Sequence, residues 1–291
     1  MTKQLILKKR ASLGVIFVLL VQTFSAQAQL QGSTYAQAKA SGSGTLTFTY
    51  METPGFAAPS ADGSITGLCK DLLDDFVDYV KETEGIRLTL KYGGKNPNDF
   101  NQFLAEVKSG RGGVIGLGNI TITEARKQDY TFTPAFINNV SIIVTNNNVP
   151  TLNAMSSISE QFAGMKAYAV AGSTNEAGLR KVKQQYWPSL EIITYGSSQE
   201  VLETVMNDNK AFTNLDLTYY LAASKAGQPV KRHPAGDERS EEFGLLMPKG
   251  TDWAPLWDRF LTTQYRNSTA YREKISKHLG GVALKLLDSV R

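Results

Sequence analysis

Val114-Ile-Gly-Leu-Gly118, followed at once by Asn119-Ile-Thr-Ile-Thr-Glu-Ala-Arg126, is the stretch that decides the architecture. The first five residues are too apolar for a strand with a wet face, and such runs belong to parallel sheets covered on both sides. In open α/β sheets ligands gather just past the carboxyl ends of the strands, where amides and helix starts are free to bind them. Asn119 to Arg126 therefore puts two threonine hydroxyls, spare amides and one permanent cation where an anion could bind.

Working back from this strand, Thr45 to Tyr50 alternates and reads as a strand, and Leu72, Leu73, Phe76, Val77 and Val80 recur at helical spacing up to Gly85. Ile86 to Tyr92 is a further strand. Asn98 or Asp99 caps a helix through Phe103 and Val107 that stops at Gly110. This β-α-β-α-β order predicts a parallel sheet with right-handed crossovers. Working forward, Phe136 to Thr145 is β-rich, and then the layout repeats. Strands are read at Lys166–Ala171, Glu191–Tyr195 and Lys210–Leu215. One helix opens at Gly172-Ser-Thr-Asn-Glu176, and Ser197-Ser-Gln-Glu200 forms a capping box before another. Two similar α/β halves with facing strand ends describe a cleft between lobes. Phe243–Met247 is a last strand, followed by amphipathic helices around Trp253–Leu261 and Tyr271–Leu279. Periodicity does not say which half receives this tail. If it is the first, the chain crosses between halves twice, near 136–145 and 238–245, and two crossing strands make a hinge.

The chain begins with Lys3, Lys8, Lys9 and Arg10, then an apolar run from Leu13 to Val21 and the sequence Ala26-Gln27-Ala28. That pattern predicts a secretory signal peptide over 1–28, cleaved after Ala28. The apolar run is roughly half the ~20 residues that a membrane span needs. Removing the leader's four bases from the 31 Lys+Arg leaves as many bases as the 27 acids, so the exported chain is neutral overall. A nucleic-acid surface would need a clustered basic excess. Residues 29–44, rich in Gln, Ala, Ser and Gly, read as a flexible tether. Cys69 stands alone and reads as a buried small hydrophobe on a helix. His233 and His278 are far apart with no ligand spacing around them, so no metal is expected, and no nucleotide or cofactor fingerprint is present. Asp71, Asp74, Asp75 and Asp78 make an acidic helix face, read as solvated surface.

Three elements remain as candidates for binding chemistry. Arg126 offers a planar fork suited to a carboxylate, or is an ordinary helix-face arginine. Ser173 and Thr174 open a helix, where hydroxyls and amides suit the same anion, or they are plain N-caps. Asp216 ends a strand where it could take a cation, or it caps the helix holding Tyr219, Tyr220 and Leu221.

The order of these motifs resembles the family of periplasmic solute-binding proteins for amino acids, from about Thr45 to Gly280. The points of contact are the Pro54–Phe56 loop, Thr66-Gly-Leu with Asp71, and the Ile120–Arg126 stretch with Phe132-Thr-Pro134. They continue at Gly172–Glu176, at Phe243-Gly-Leu with Pro248-Lys-Gly250, and at Lys277-His-Leu-Gly280. The resemblance implies a bilobed type II periplasmic binding protein, with two parallel-sheet α/β lobes joined by a two-strand hinge. Lobe 1 would comprise 45–138 and 245–291, and lobe 2 would comprise 139–244. It also implies that Arg126 clamps a ligand's α-carboxylate, with Thr121 and the Asn119 backbone beside it and Ser173 and Thr174 donating from the second lobe. Asp216 would pair with the α-ammonium, and Phe56 would pack on the side chain. The implied function is capture of a small α-amino acid, by a monomer, for an ABC permease. Cys69 stands where the family usually has an acid, an aspartate is missing near Gly113 and near Ala211, and His278 replaces a closing aromatic. Gly172–Glu176 also resembles a motif of periplasmic cyclohexadienyl dehydratases, where Glu176 would be a general acid. A third possibility is a ligand-sensing lobe with no transport role.

Overall fold

The computed structural model describes residues 29–288, so the leader read at 1–28 lies outside the described residues. Helix α1 (Tyr35–Ser41) starts at a capping box in which Thr34 accepts the Gln37 amide and the Gln37 side chain caps Thr34 in return. The flexible tether expected over 29–44 is thus corrected. Its small polar residues hide specific docking: Asp252 accepts the Tyr35 and Ala36 amides, and Trp253 Nε1 donates to the Ser33 carbonyl at 2.9 Å.

Strand β1 (Ser43–Tyr50) leads through a short hairpin, β2 (Ala58–Pro59) and β3 (Ile65–Thr66), into α2 (Leu68–Glu84). Then come β4 (Arg87–Tyr92), α3 (Phe100–Ser109) and β5 (Val114–Thr121). β1 pairs in parallel with both β4 and β5. Asp99, not Asn98, caps α3, accepting the Gln102 amide. α2 buries Leu68, Cys69, Leu72, Leu73, Phe76 and Val80, and burial pushes the Cys69 thiol pKa up so that it stays protonated.

The turn into α2 needs Gly67. Its φ is +126°, and a Cβ there would sit 2.4 Å from the Phe56 carbonyl oxygen. Gly67→Ala is therefore expected to destabilise the protein by about 1–3 kcal/mol, read as a lowered midpoint in urea. An unchanged midpoint would show that the turn relaxes freely.

The chain goes on through α4 (Glu124–Asp129) and β6 (Tyr130–Phe132) to the long strand β7 (Ile137–Asn146). The second α/β half holds α5 (Ile158–Gln161), β8 (Lys166–Val170), α6 (Thr174–Gln185), β9 (Ile192–Tyr195), α7 (Ser198–Asn207), β10 (Ala211–Asp216) and α8 (Leu217–Lys225). β8 pairs in parallel with β9 and β10, and the Ser197/Glu200 capping box opens α7. The 19-residue strand β11 (Val230–Pro248) then returns.

The sheet runs β4-β1-β5-β11-β7-β10-β8-β9, with β6 on β11. Each parallel trio is thus closed on one side by an antiparallel strand. β11 pairs with β5 near Phe243–Thr121 and with β7 from Val230–Asn146 to Phe243–Ile137, while β7 pairs with β10. The parallel sheet expected from the crossover pattern is present in each half, with the antiparallel strands added at the junction. The two long linking strands run against each other and each seals one edge. β7 and β11 are also the two connections between the halves, which makes them the hinge.

The tail, α9 (Ala254–Phe260), α10 (Thr263–Arg266), α11 (Thr269–Leu279) and α12 (Leu284–Leu287), packs on the first half. Trp257 stacks on Phe76 with centroids 3.9 Å apart. The acidic face of α2 is only in part the solvated surface the sequence implied: Asp78 is exposed and Asp74 pairs with Lys70 on its own helix, but the tail pairs with Asp71 and Asp75. Lys274 and Tyr265 both reach Asp75 at 2.5 Å, and His278 bonds Asp71 at 2.8 Å. A second core holds Ile143, Phe162, Leu179, Trp187 and Phe212 in the other half. There His233 is fully buried and neutral: burial lowers its pKa to about 4, and its ring bonds Thr145 and the Leu152 amide. No helix among the described residues is long and apolar enough to cross a membrane.

Candidate functional site

Strand ends from both halves meet at one small cavity. Met51 follows β1, Asn119 and Thr121 end β5, Val170 ends β8, and Asp216 ends β10. The start of α6 supplies Ser173, Thr174 and Asn175. The cavity measures about 40 Å³, room for roughly two or three water-sized centres. A solute of amino-acid size therefore enters only when the halves part.

Arg126 lies in the last turn of α4, yet its side chain folds back into the cleft rather than along the helix face. Its Nη1 donates to the Thr121 carbonyl at 3.0 Å and its Nη2 to the Gly172 carbonyl, across the cleft, at 3.5 Å. The guanidinium lies 5.4 Å from the centre of the Phe100 ring. Burial lowers its pKa, while Glu241, Tyr130 and Asp216 oppose that shift. A guanidinium starts so high that it stays charged. Among the described residues it makes no ion pair, and it is the one cation lining the cavity. Thr121 Oγ1 and Thr174 Oγ1 face each other across the cleft at 3.2 Å.

Asp216 occupies the N-cap position of α8 but makes no side-chain cap bond. Its carboxylate turns into the cleft, where three amides donate to it: Asn119 at 2.5 Å, Asn139 at 2.8 Å and Asn175 at 3.2 Å. Desolvation first, and the Glu241 charge second, still raise its pKa to about 7 against those hydrogen bonds. Asn139 links the two acids, donating also to Glu241 at 3.0 Å. On the far side Tyr219 donates to Thr53 Oγ1 at 3.1 Å, and Thr53 donates to Asn119 Oδ1 at 3.0 Å. A continuous chain of hydrogen bonds thus joins the halves through Asp216.

The structure brings Arg126, Thr121, Asn119, Ser173, Thr174 and Asp216 around one space. Asn119 takes part through its side chain, although the family pattern assigned a role only to its backbone. Ser173 is also a plain N-cap, accepting the Glu176 amide at 3.0 Å. Phe56 is not at the site. It is fully buried in the first half's core, edge-on to Phe136 and Phe243, because its loop folds under α2. Phe100 and Tyr219 line the cavity in its place. The Glu176 carboxylate takes the Gly172 amide at 2.8 Å and pairs with Arg180, and it does not line the cavity.

Met51, Phe100, Asn175 and Tyr219, with Asn139 and Glu241 behind Asp216, escaped the sequence reading. Asn138, Asn139 and Ser141 did leave a trace. Buried polar residues inside the apolar run Ile137–Val144 must find partners. Asn175 stands inside the quoted Gly172–Glu176 motif. Phe100 and Tyr219 sit at helical spacing that reads as core.

The sequence matches no known family profile and no curated protein. Solved structures do align over most of the chain. An ancestral arginine-binding protein bound to arginine superposes with a TM-score of 0.65 at 19% identity, covering 81% of this chain and 98% of its own. The fold is that of a bilobed type II periplasmic binding protein. The arginine-, lysine-, histidine-binding protein ArtJ of the thermophilic bacterium Geobacillus stearothermophilus gives 0.65 at 19%, covering 81% of this chain and 95% of its own. The ancestral amino acid-binding protein AncCDT-1, described as a precursor of cyclohexadienyl dehydratase, gives 0.62 at 18%, covering 81% and 95%.

Proposed function

We propose that this protein is a periplasmic receptor that closes on a small α-amino acid and presents it to an ABC permease. The observation that carries the reading is the placement of opposite charges on the two sides of the cleft, with Arg126 from one lobe and Asp216 from the other lining one cavity. A zwitterion needs a fixed cation and a fixed anion a short distance apart, both desolvated when the cleft shuts. In this reading the Arg126 fork takes the α-carboxylate, helped by the Thr121 and Thr174 hydroxyls and the first amides of α6. Asp216 takes the α-ammonium, held in place by Asn119, Asn139 and Asn175. The lobes are 45–138 with 245–291, and 139–244. The leader is removed after Ala28, and the monomer works alone with its permease.

Two features weigh against a dehydratase. Glu176 is engaged by its own loop and by Arg180, and it stands off the cavity wall. The precursor of such an enzyme is itself named as an amino-acid-binding protein.

A panel of amino acids and other small carboxylates, each added during thermal melting, tests the proposal. A cognate α-amino acid at ~100 times its dissociation constant is expected to add ~2.7 kcal/mol to stability. A melting temperature that no α-amino acid moves would overturn the receptor reading in favour of a sensory lobe for another ligand.

A further inference from the structure

Tyr219 is a wall common to two spaces, the small charged cavity and a larger chamber of about 470 Å³ between the same two lobes. Glu52, Asn96 and Asn98 form one polar side of that chamber, and Gln199 and Glu200 form the other. Among the described residues no lysine or arginine lines it. Glu52 directly precedes Thr53, the residue that hydrogen-bonds Asn119 beside Asp216, and it lines the chamber that shares the Tyr219 wall with the charged cavity. Its backbone is fixed, the amide donating to the Pro97 carbonyl at 2.7 Å, while its carboxylate has only a long 3.4 Å bond from Asn98. Glu200 is held at the rim by the Ser197 amide and hydroxyl. Among the described residues neither acid has a cationic partner. Burial first, then the Asp216 charge and last the Glu52 charge raise the Tyr219 pKa to about 12.

A half-buried carboxylate between two closing lobes loses water on closure and needs a cation in exchange. A neutral side chain would leave that charge uncompensated, and an acidic one would add a like charge. We infer that the ligand's side chain is long and cationic, of the arginine or lysine class, and that Glu52 receives its charged end. This rests on reading the cavity as an α-amino-acid site. The chain of contacts then runs from Arg126 at the carboxylate to Asp216 at the ammonium. The methylenes pass Met51, Phe100 and Tyr219, and the terminal cation lies among Glu52, Asn98 and Glu200.

Titration calorimetry with arginine, lysine, glutamate and citrulline, a neutral near-isostere of arginine, separates the two readings. Arginine is expected to bind at least ~10-fold more tightly than citrulline, the size of one charge-assisted contact. Glu52→Gln is expected to erase most of that ratio by weakening arginine binding, with the melting temperature of the unliganded protein in place. The unshifted melting temperature shows that the variant is folded. Equal binding of arginine and citrulline, tighter binding of glutamate, or a ratio that survives Glu52→Gln would overturn the cationic side chain yet leave the α-amino-acid site standing. Failure of all four to bind would overturn this inference, and silence from the wider amino-acid panel as well would bring down the site reading with it.

Discussion

Arg126→Ala is expected to leave the protein folded and to weaken amino-acid binding by about 2–5 kcal/mol, a 30-fold to several-thousand-fold rise in Kd. The loss is large because Arg126 is the one cation among the described residues that lines the cavity, so a carboxylate enclosed there would keep only hydroxyl and amide donors. The fold should survive because the arginine's structural bonds are two backbone carbonyls, one of them at 3.5 Å across the cleft. Neither carbonyl is left in a dry core when the lobes can part. Arg126→Lys should recover only part of the loss. Lysine keeps the charge but lacks the planar fork that bonds Thr121 and the ligand together and the face that lies over Phe100. Calorimetry against the cognate amino acid, beside a thermal melt of each variant, reads both effects. A parent-like Kd for Arg126→Ala would remove the arginine from the site altogether.

The sequence showed the strand whose end carries this site because a run such as Val114–Gly118 has only one comfortable home, a doubly covered sheet. It pointed to Arg126, Thr121 and Asp216 as candidates on the same ground, since strand ends are where an α/β fold gathers polar groups. What it could not separate was a residue's two possible orientations. Asp216 could have capped α8; only its missing cap bond shows the carboxylate turned inward. Phe56 could have faced a ligand; only the depth of its loop shows it edge-on to Phe136. Asn139 and Glu241 lie on the linking strands, remote in sequence from every motif, and reach Asp216 through pairing across β7 and β11. The α1 docking was invisible because it depends on Asp252 and Trp253, more than 200 positions downstream. Local pattern carries the layers, whereas the partners of a buried charge are set by tertiary neighbours.

Those neighbours make Asp216 the residue whose titration should show most clearly. Its pKa stands at about 7 in the folded protein, against an ordinary value of 3.8. The folded state therefore keeps a proton that the unfolded chain has already lost between those two values. Unfolding releases that proton, so stability falls as pH rises through 7 and is regained as pH drops toward 4. From pH 5 to pH 8 this one group is expected to remove about 2–3 kcal/mol of stability. Ligand binding should move the opposite way. A ligand's α-ammonium needs the charged carboxylate, so Kd is expected to rise by up to about tenfold per pH unit below 7. Asp216→Asn separates these effects from every other titration. The amide has no proton to gain, so the pH 5-to-8 difference in stability should shrink by about 2–3 kcal/mol, while amino-acid affinity falls by an amount similar to that for Arg126→Ala. Urea melts at both pH values, with calorimetry on the same samples, read all of this. Parallel pH profiles for parent and variant would show that Asp216 is ionised throughout and that the ammonium is paired elsewhere. A flattened profile with intact binding would separate the buried acid from the ligand, leaving it as part of the hydrogen-bonded chain that joins the closed lobes.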